Sequence, residues 1–220
     1  MIPTPDLSHL TREDYEHVYE PAEDTFILLD ALEADTNELQ EMKPRIYAEA
    51  GLDQDASQRS SGLYWVMAAV CIFGLARVLF LTYGSVYLTT DINVHAAQCT
   101  ARTGKQNKIT LDPVVGNLAD PLLPRLSRNI DLLVFNPPYV PTRGEEALEA
   151  QIDADIQGAW AGGKDGMQVT DVLLDQLDDL LSPTGRFYLV AVKDNNIPGI
   201  RARMQQRHGI HNRSAAKSWS

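Results

Sequence analysis

Apolar runs alternate with amphipathic stretches along this 220-residue chain. Short apolar runs predict strands at residues 45–50, 85–91, 109–116, 130–135 and 185–192. Helical spacing of apolar residues predicts helices at residues 23–40, 93–107, 167–181 and, more weakly, 196–208. Strands that alternate with helices in this way predict a parallel sheet that is covered on both faces.

The helix predictions include particular faces and ends. In 23–40 the apolar residues are Phe26, Leu29 and Leu32, with Ile27 and Leu28 beside them. The helix at 93–107 opens after Asp91 or Asn93, since either side chain suits an N-cap. Ser182-Pro183-Thr184-Gly185 closes the helix at 167–181.

Polar residues stand at the carboxyl ends of three predicted strands: Glu49, Asp91 and Asn136. In open parallel sheets, ligands bind beyond these ends. Asp91 suits two hydrogen bonds to ribose hydroxyls, but a helix cap explains it equally well. Gly51 would let the backbone approach a ligand closely. The pattern therefore predicts one ligand site at this edge of the sheet.

The stretch Phe135-Asn136-Pro137-Pro138-Tyr139 is the most specific feature of the sequence. Two prolines fix the backbone and hold Asn136 extended. The Asn136 carbonyl and a carbonyl of the proline segment could accept both hydrogens of a substrate –NH2 group. Tyr139 offers a flat face for a planar amide or base. This arrangement suits a substrate nitrogen whose lone pair is conjugated and which attacks an electrophile, although Asn-Pro also simply ends strands.

Composition and charge indicate which class of protein this is and which partners it can bind. The chain is 44% hydrophobic, as expected of a globular domain, and its net charge is -11. That charge disfavours an unaided grip on a polyanion. Cys71 and Cys99 form neither a zinc motif nor a disulfide framework, so we expect no metal and a reducing compartment. The first fourteen residues do not resemble a signal peptide.

Several stretches together resemble class I S-adenosylmethionine-dependent methyltransferases of the HemK-like branch, in particular its eukaryotic catalytic subunits that methylate a release-factor glutamine. They are YEPAEDTFILLDALE (19–33), TDIN (90–93), DLLVFNPPYV (131–140), AWAGGKDG (159–166) and LLSPTGRFYLVAVKDNN (180–196). The resemblance implies a Rossmann-like, doubly wound, mostly parallel α/β sheet and S-adenosyl-L-methionine as the methyl donor.

The resemblance also implies a role for each matching residue. Thr25 and Glu49 would lie at the methionine end of the cofactor, Gly51 in the cofactor loop, Asp91 at the ribose, and Asn117 and Leu118 at the adenine. Asn136 would hold the substrate amide beside the cofactor, with Pro137 and Tyr139 shaping the pocket. Asn117 departs from the family pattern, which usually has aspartate at this position.

The partners and location are likewise implied by the resemblance. The substrate would be a class 1 translation release factor, and a small zinc-binding activator subunit would complete a heterodimer. The protein would act in the cytoplasm and also in the nucleus, without a membrane and without nucleic acid as a partner.

Two regions break the family pattern. Only Gly51 remains of the glycine-rich loop, and the segment 51–85 is longer than its equivalent. Its apolar run at 63–76 is shorter than a membrane span needs and reaches that length only by including Arg77 and continuing to Leu81. We therefore expect a buried helix with an apolar strand behind it there, and a membrane span is the alternative. The end of the chain, 209–220, is polar, so the family's last two strands are expected to be missing. These departures suggest an error in the gene model.

The expected organisation is an N-terminal arm (1–22), a methyltransferase domain (23–208) and an irregular tail (209–220). Two further functions remain open. An adenine-N6 methyltransferase would use Asn136 and Tyr139 on a flipped base. A non-catalytic remnant would bind a partner without turnover, because its cofactor loop is damaged.

Overall fold

The computed structural model describes residues 5–16, 18, 23–51, 85–139, 141 and 165–208. The predicted buried helix within 63–76 and the tail at 209–220 lie outside these residues. The hypothesis of a gene-model error therefore stays a hypothesis.

The described strands form one sheet in which every pair is parallel. The strands are β1 (Ile46–Glu49), β2 (Val86–Asp91), β3 (Asp112–Val115), β4 (Ile130–Phe135) and β5 (Leu181–Leu189). Their order is β3-β2-β1-β4-β5. The chain runs outward from β1 in one direction and then returns to β4 on the other side. This order confirms the predicted parallel α/β sheet and creates a switch point between β1 and β4.

Six α-helices accompany the sheet in the described part of the chain. They are α1 (Glu23–Ala34), α2 (Thr36–Met42), α3 (Val94–Gln106), α4 (Leu123–Leu126), α5 (Gln168–Leu180) and α6 (Ile197–His208). Single 3-10 turns occur at Asp14–Glu16 and Lys193–Asn195. The predicted helices at 93–107, 167–181 and 196–208 are confirmed to within a residue at each end.

Apolar side chains alternate along the central strands and build a core on each face of the sheet. On one face, Tyr47 of β1 and Leu132 of β4 join the cluster that contains Leu28 and Leu32 of α1. On the other face, β1 and β4 contribute residues to a second cluster with leucines of α5: Ala48, Leu133, Phe135, Leu173, Leu174, Leu177 and Leu180. The sheet is thus covered on both faces, as the alternation of strands and helices predicts.

The single helix predicted at 23–40 is wrong in two respects. It breaks at Asp35, where the Thr36 hydroxyl donates to the Glu33 carbonyl and a second helix begins. Asp35 accepts a hydrogen bond from the Tyr188 hydroxyl at 2.8 Å, so the break serves a contact with β5. Phe26 is exposed rather than inward-facing.

Two strand predictions are also corrected. β5 begins at Leu181 rather than Gly185, and its register against β4 shifts between Ile130 and Leu132. The residues from Ser182 to Gly185 therefore lie in an irregular stretch of β5 that directly follows α5, instead of in a separate turn. β3 is shorter than the predicted 109–116, because only Asp112–Val115 pair with β2.

The described part of the N-terminal arm packs against α3. Leu10 and Val18 share a buried cluster with Ala96 and Cys99. The Asp14 carboxylate, which is 4% exposed, is paired with Arg102 and lies 3.2 Å from Nε2 of His95. The arm is thus fixed by both apolar and charged contacts. Among the described residues, the helices are too short or too polar to cross a membrane.

Candidate active site

Three adjacent strands bring the predicted polar residues to one edge of the sheet. β2 ends at Asp91, β1 at Glu49, and Asn136 directly follows β4. These strands are neighbours in the order β2-β1-β4 and run parallel, so their carboxyl ends lie side by side. With strands about 4.8 Å apart, the three ends span about 10 Å. The prediction that these strand ends cluster is confirmed.

The structure decides which residue caps α3. The Asn93 side chain accepts hydrogen bonds from the backbone N–H groups of His95 and Ala96, so Asn93 is the N-cap. Asp91 instead accepts from the backbone N–H of Asn93 through Oδ1, at 2.6 Å. This bond fixes the buried Asp91 carboxylate at the strand end. The N-cap alternative for Asp91 is therefore wrong, and a position suited to ribose remains.

Glu49 is a buried acid at the centre of the site. The residue is 2% exposed, and its Oε2 has no hydrogen-bond partner among the described residues. Burial, followed by the nearby charge of Asp91, raises the pKa of Glu49 well above its usual value. A buried carboxylate with a vacant acceptor suits a cationic ligand group.

Thr90, which the sequence analysis did not select, joins the two turns that contain Gly51 and Leu118. Its fully buried hydroxyl accepts from the backbone N–H of Gly51 at 3.0 Å and donates to the carbonyl of Leu118. Gly51 and Leu118 also form an isolated antiparallel bridge, in which Leu118 N–H donates to the Gly51 carbonyl at 2.7 Å. The turns that contain Gly51 and Leu118 are therefore held together by one backbone bond and by the Thr90 hydroxyl.

The two residues expected at the adenine are placed differently from each other. Leu118 is buried in the core with a left-handed backbone, at φ 45°. The Leu118 side chain packs with Ala50 and Ala119 in the core. The backbone of Leu118 lies beside Gly51, in the isolated bridge. Asn117 is exposed one residue earlier. The Asn117 side chain is thus accessible to a ligand, but no hydrogen bond to another described residue fixes its orientation.

The Asn136 side chain is oriented by Asp24, a second residue that sequence interpretation missed. Asn136 is 6% exposed, and its Nδ2 donates to Oδ2 of Asp24 at 3.0 Å. Since an ionised carboxylate only accepts hydrogen bonds, the amide nitrogen must face Asp24. Asn136 Oδ1 is buried without a hydrogen-bond partner among the described residues. This oxygen is left as an acceptor for a substrate donor.

The Asp24 carboxylate also accepts hydrogen bonds from Tyr139 and Thr25. The Tyr139 hydroxyl donates to Asp24 Oδ2 at 3.4 Å, and the backbone N–H of Thr25 donates to Asp24 Oδ1 at 2.8 Å. Thr25 is fully buried in the first turn of α1, and Pro137 is buried beside Asn136. The structure thus brings Thr25, Asn136 and Tyr139 together around the carboxylate of Asp24, which is not among the site residues predicted from the sequence.

The sequence carried a signal for Asp24. Asp24, Leu28 and Leu32 are spaced four residues apart and share the buried face of α1. An acid on an apolar stripe requires a polar partner. Acidic residues are also common in the first turn of a helix, where they interact favourably with the helix dipole, so this signal alone does not identify a site. Thr90 gave no comparable signal, because buried threonines are common in strands.

A cluster of possible metal ligands lies away from this edge, at the junction of the arm and α3. Ligand atoms of Asp14, His95 and Cys99 lie within 4.8 Å of one another. The Arg102 guanidinium donates to Asp14 and, at 3.1 Å, to the Cys99 sulfur. The positively charged Arg102 thus already binds two of the three groups, and these contacts anchor the arm to α3.

Comparison with known proteins gives a consistent result, although no family model matches the chain. The chain is 43% identical to "Methyltransferase HEMK2" of Mus musculus over 94% of its own length and 86% of that protein. It is 44% identical to the Homo sapiens protein of the same name, over 88% and 80% of the two chains.

A fungal relative extends the comparison. The chain is 37% identical to "eRF1 methyltransferase catalytic subunit mtq2" of Schizosaccharomyces pombe, over 91% of this chain and 83% of that protein. Identity at this level over most of both chains, together with the parallel sheet and the polar residues at its carboxyl edge, establishes the family. The chain belongs to the HemK-like methyltransferases.

Proposed function

We propose that this chain transfers a methyl group from S-adenosyl-L-methionine to the side-chain amide nitrogen of a glutamine in a protein. Relatives named as release-factor methyltransferases support a class 1 release factor as that protein. The observation that carries the proposal is the buried Oδ1 of Asn136, which has no partner among the described residues while Asp24 binds Nδ2.

When bound, S-adenosylmethionine supplies an electrophilic methyl group on a sulfonium. Asn136 Oδ1 accepts a hydrogen of the substrate –NH2 and holds the nitrogen toward that methyl group. The same oxygen stabilises the positive charge that develops on nitrogen, and the surplus proton leaves to water. The reaction therefore depends on position and on carbonyl dipoles, and it requires no strong base.

Three groups of this chain would hold the cofactor. The buried Glu49 carboxyl suits the amino group, and Asp91, fixed by its bond to Asn93, suits the ribose hydroxyls. The Gly51–Leu118 bridge, tied by Thr90, would border the adenine. Glu49 ends β1, next to β4 and Asn136, whereas Asp91 ends β2, one strand further away. A cofactor held in this way would have its amino-acid part closer to Asn136 than its ribose.

Replacing Asn136 tests the proposal. Asn136→Ala removes the acceptor, so transfer to a glutamine-containing release factor should fall by at least about a hundredfold. Titration calorimetry should show cofactor affinity within about threefold of the original, because Asn136 acts on the substrate. Full activity of Asn136→Ala would refute the assignment. Failure of the unaltered protein to bind the cofactor would favour the non-catalytic remnant.

The same proposal includes a small zinc-binding activator subunit, bound along the edge of the sheet at β3. Val115 of β3 and Val94 of α3 are 52% and 54% exposed, and β3 is an edge strand of the described sheet. Exposed apolar residues beside an open edge suit a partner that adds a strand.

The proposal also includes a location in the cytoplasm or the nucleus. Cys99 is a buried free thiol, which suits a reducing compartment of this kind.

Co-purification tests the activator. Val115→Glu should reduce recovery of the activator from a co-expression, whereas Val172→Glu, at an exposed valine of α5, should not. Equal recovery with both variants would argue against this edge as the interface.

A further inference from the structure

Asn195 is a fully enclosed side chain between two loops of the active-site edge. It ends the 3-10 turn after β5 and is 1% exposed. Its Oδ1 accepts from the backbone N–H of Val192 at 2.8 Å. Its Nδ2 donates to the carbonyl of Tyr139 at 2.7 Å and to the carbonyl of Asp165 at 3.1 Å. One amide therefore ties three backbone segments together.

The Tyr139 segment depends on bonds of this kind. Pro137 and Pro138 have no N–H, so neither residue can donate a backbone hydrogen bond to a neighbouring strand. The last described link between the strands is the bond from Val190 N–H to the Phe135 carbonyl, at 3.0 Å. Beyond it, Asp24 binds the Tyr139 hydroxyl from α1, and Asn195 binds the Tyr139 carbonyl from the side of β5.

Gly166 shows how closely the three segments approach. Its φ is +67°, and a Cβ at this position would collide with the Tyr139 carbonyl oxygen and with Nδ2 of Asn195. A side chain is therefore excluded where Asn195, Tyr139 and the 165–166 turn meet. This packing leaves the Tyr139 carbonyl little freedom to move while the Asn195 bond is intact.

We propose that Asn195 is a positioning residue that sets the place of Tyr139, and through the rigid Pro137-Pro138 segment that of Asn136, for the transfer reaction. The inference rests on the proposed glutamine methylation. Asn195 does not reach the reacting atoms, since its donors are used on the two carbonyls. It links the end of β5 to the substrate side of the site.

Kinetics of Asn195→Ala test this role. A displacement of about 1 Å at a reacting group can lower a rate by about a hundredfold, so we expect kcat to fall by at least about tenfold. The Kd for S-adenosylmethionine should stay within about twofold, because the cofactor groups lie on β1 and β2. Lys193→Ala, at an exposed residue of the same turn, is the matched control and should keep its kcat.

Either of two results would overturn the proposal: a kcat of Asn195→Ala within about twofold of the original, or a loss of cofactor affinity as large as the loss of kcat. If this variant does not fold, Asn195→Asp retains the acceptor for Val192. Protonation of that aspartate restores a donor, so its kcat relative to the original should rise as the pH falls. A pH-independent ratio would contradict the role.

A second measurement separates this inference from the proposed function. In protein labelled with 3-fluorotyrosine, the resonance of Tyr139 can be assigned by Tyr139→Phe. Replacing Asn195 should shift or broaden that resonance even if the unaltered protein transfers no methyl group. An unchanged resonance would refute the positioning role, whereas absence of transfer by the unaltered protein would refute the proposed function.

Discussion

Asp24 is the residue that gives the Asn136 amide a defined direction. Three donors converge on its carboxylate: Nδ2 of Asn136, the hydroxyl of Tyr139 and the backbone N–H of Thr25. Without a fixed acceptor for Nδ2, the amide could turn and present a donor to the substrate –NH2 group. The orientation of the Asn136 side chain therefore depends on a residue outside the Asn-Pro-Pro-Tyr motif.

The substitution Asp24→Asn tests this dependence. An amide has one acceptor oxygen, so it cannot accept all three bonds, and kcat should fall by about tenfold or more. Cofactor affinity should change little. Asp30→Asn, at an exposed position of the same helix, provides the control. Steady-state kinetics decide the matter, and a kcat for Asp24→Asn equal to that of the control would contradict the proposed role.

The buried carboxyl of Glu49 makes the stability of the cofactor-free protein depend on pH. Its pKa in the folded protein is raised by burial and by Asp91, whereas in the unfolded chain it is near the usual 4.5. Below pH 4.5 both states are protonated. As the pH rises above this value, the unfolded chain ionises first, and the folded state loses stability.

Glu49→Gln should therefore stabilise the cofactor-free protein near pH 7, with a benefit that shrinks toward pH 4. A change of 1 kcal/mol corresponds to about 2–4 °C in Tm for a protein of this size. Thermal melts from pH 4 to 8 would show the trend, with Glu41→Gln at an exposed site as the reference. A Tm difference that is constant with pH would exclude the titration. The same variant should bind S-adenosylmethionine more weakly.

At the scale of elements, Thr90 joins the end of β1 to the turn that contains Leu118. Its hydroxyl serves the Gly51 N–H and the Leu118 carbonyl, and neither group is reached by strand pairing. Hydroxyl-mediated contacts between turns cannot be inferred from strand periodicity, because they depend on the register in which two strands meet. The position of Gly51, by contrast, was evident from the strand end alone.

A matched pair of variants tests the Thr90 contact. Thr90→Val keeps the shape but leaves a buried donor and a buried acceptor without partners, at a cost of about 1–3 kcal/mol each. We expect cofactor affinity to fall by about tenfold and Tm to decrease. Thr90→Ser retains the hydroxyl and should bind nearly as well as the original. Calorimetry that gave the same affinity for both variants would contradict this role.

The N-terminal arm is held to α3 by a charged contact as well as by apolar residues. Burial opposes ionisation of Asp14, but hydrogen bonds from Arg102 and Thr11 hold its pKa well below the usual value. The ionised Asp14 therefore adds stability that is present above about pH 4 and is lost as the pH falls further.

Asp14→Asn should loosen the arm without changing the sheet. Limited proteolysis should cleave within residues 5–18 several times faster in this variant than in Glu13→Gln, an exposed neighbour. Equal cleavage rates would show that the apolar contacts of Leu10 and Val18 suffice to hold the arm.

For the whole molecule, the sequence predicts features that repeat along the chain and misses those that join distant segments. Strand and helix periods predict a parallel sheet, and its polar strand ends predict the site edge. The contacts that orient the motif have no such period: Asp24 and Asn136 are 112 residues apart, and Asn195 and Tyr139 are 56 apart. Such contacts become visible only when the sheet order is known.

Net charge distinguishes glutamine from adenine as the methyl acceptor. An acceptor oxygen on Asn136 and the ring of Tyr139 would serve the amino group of either. At a net charge of -11, however, the chain repels a phosphate backbone. We therefore predict that duplex or single-stranded oligonucleotides bind with a Kd weaker than about 10⁻⁴ M at physiological salt.

Filter binding across a salt series, beside methylation of an adenine-containing oligonucleotide and of a release factor, tests this prediction. The release factor should be methylated, and the signal on the oligonucleotide should not exceed that of Asn136→Ala. Salt-sensitive binding together with adenine methylation that Asn136→Ala abolishes would instead identify a nucleic-acid enzyme. The comparison is informative because both substrates would present their –NH2 group to the same Asn136 oxygen, whereas only the oligonucleotide carries a phosphate backbone that the net charge of -11 disfavours.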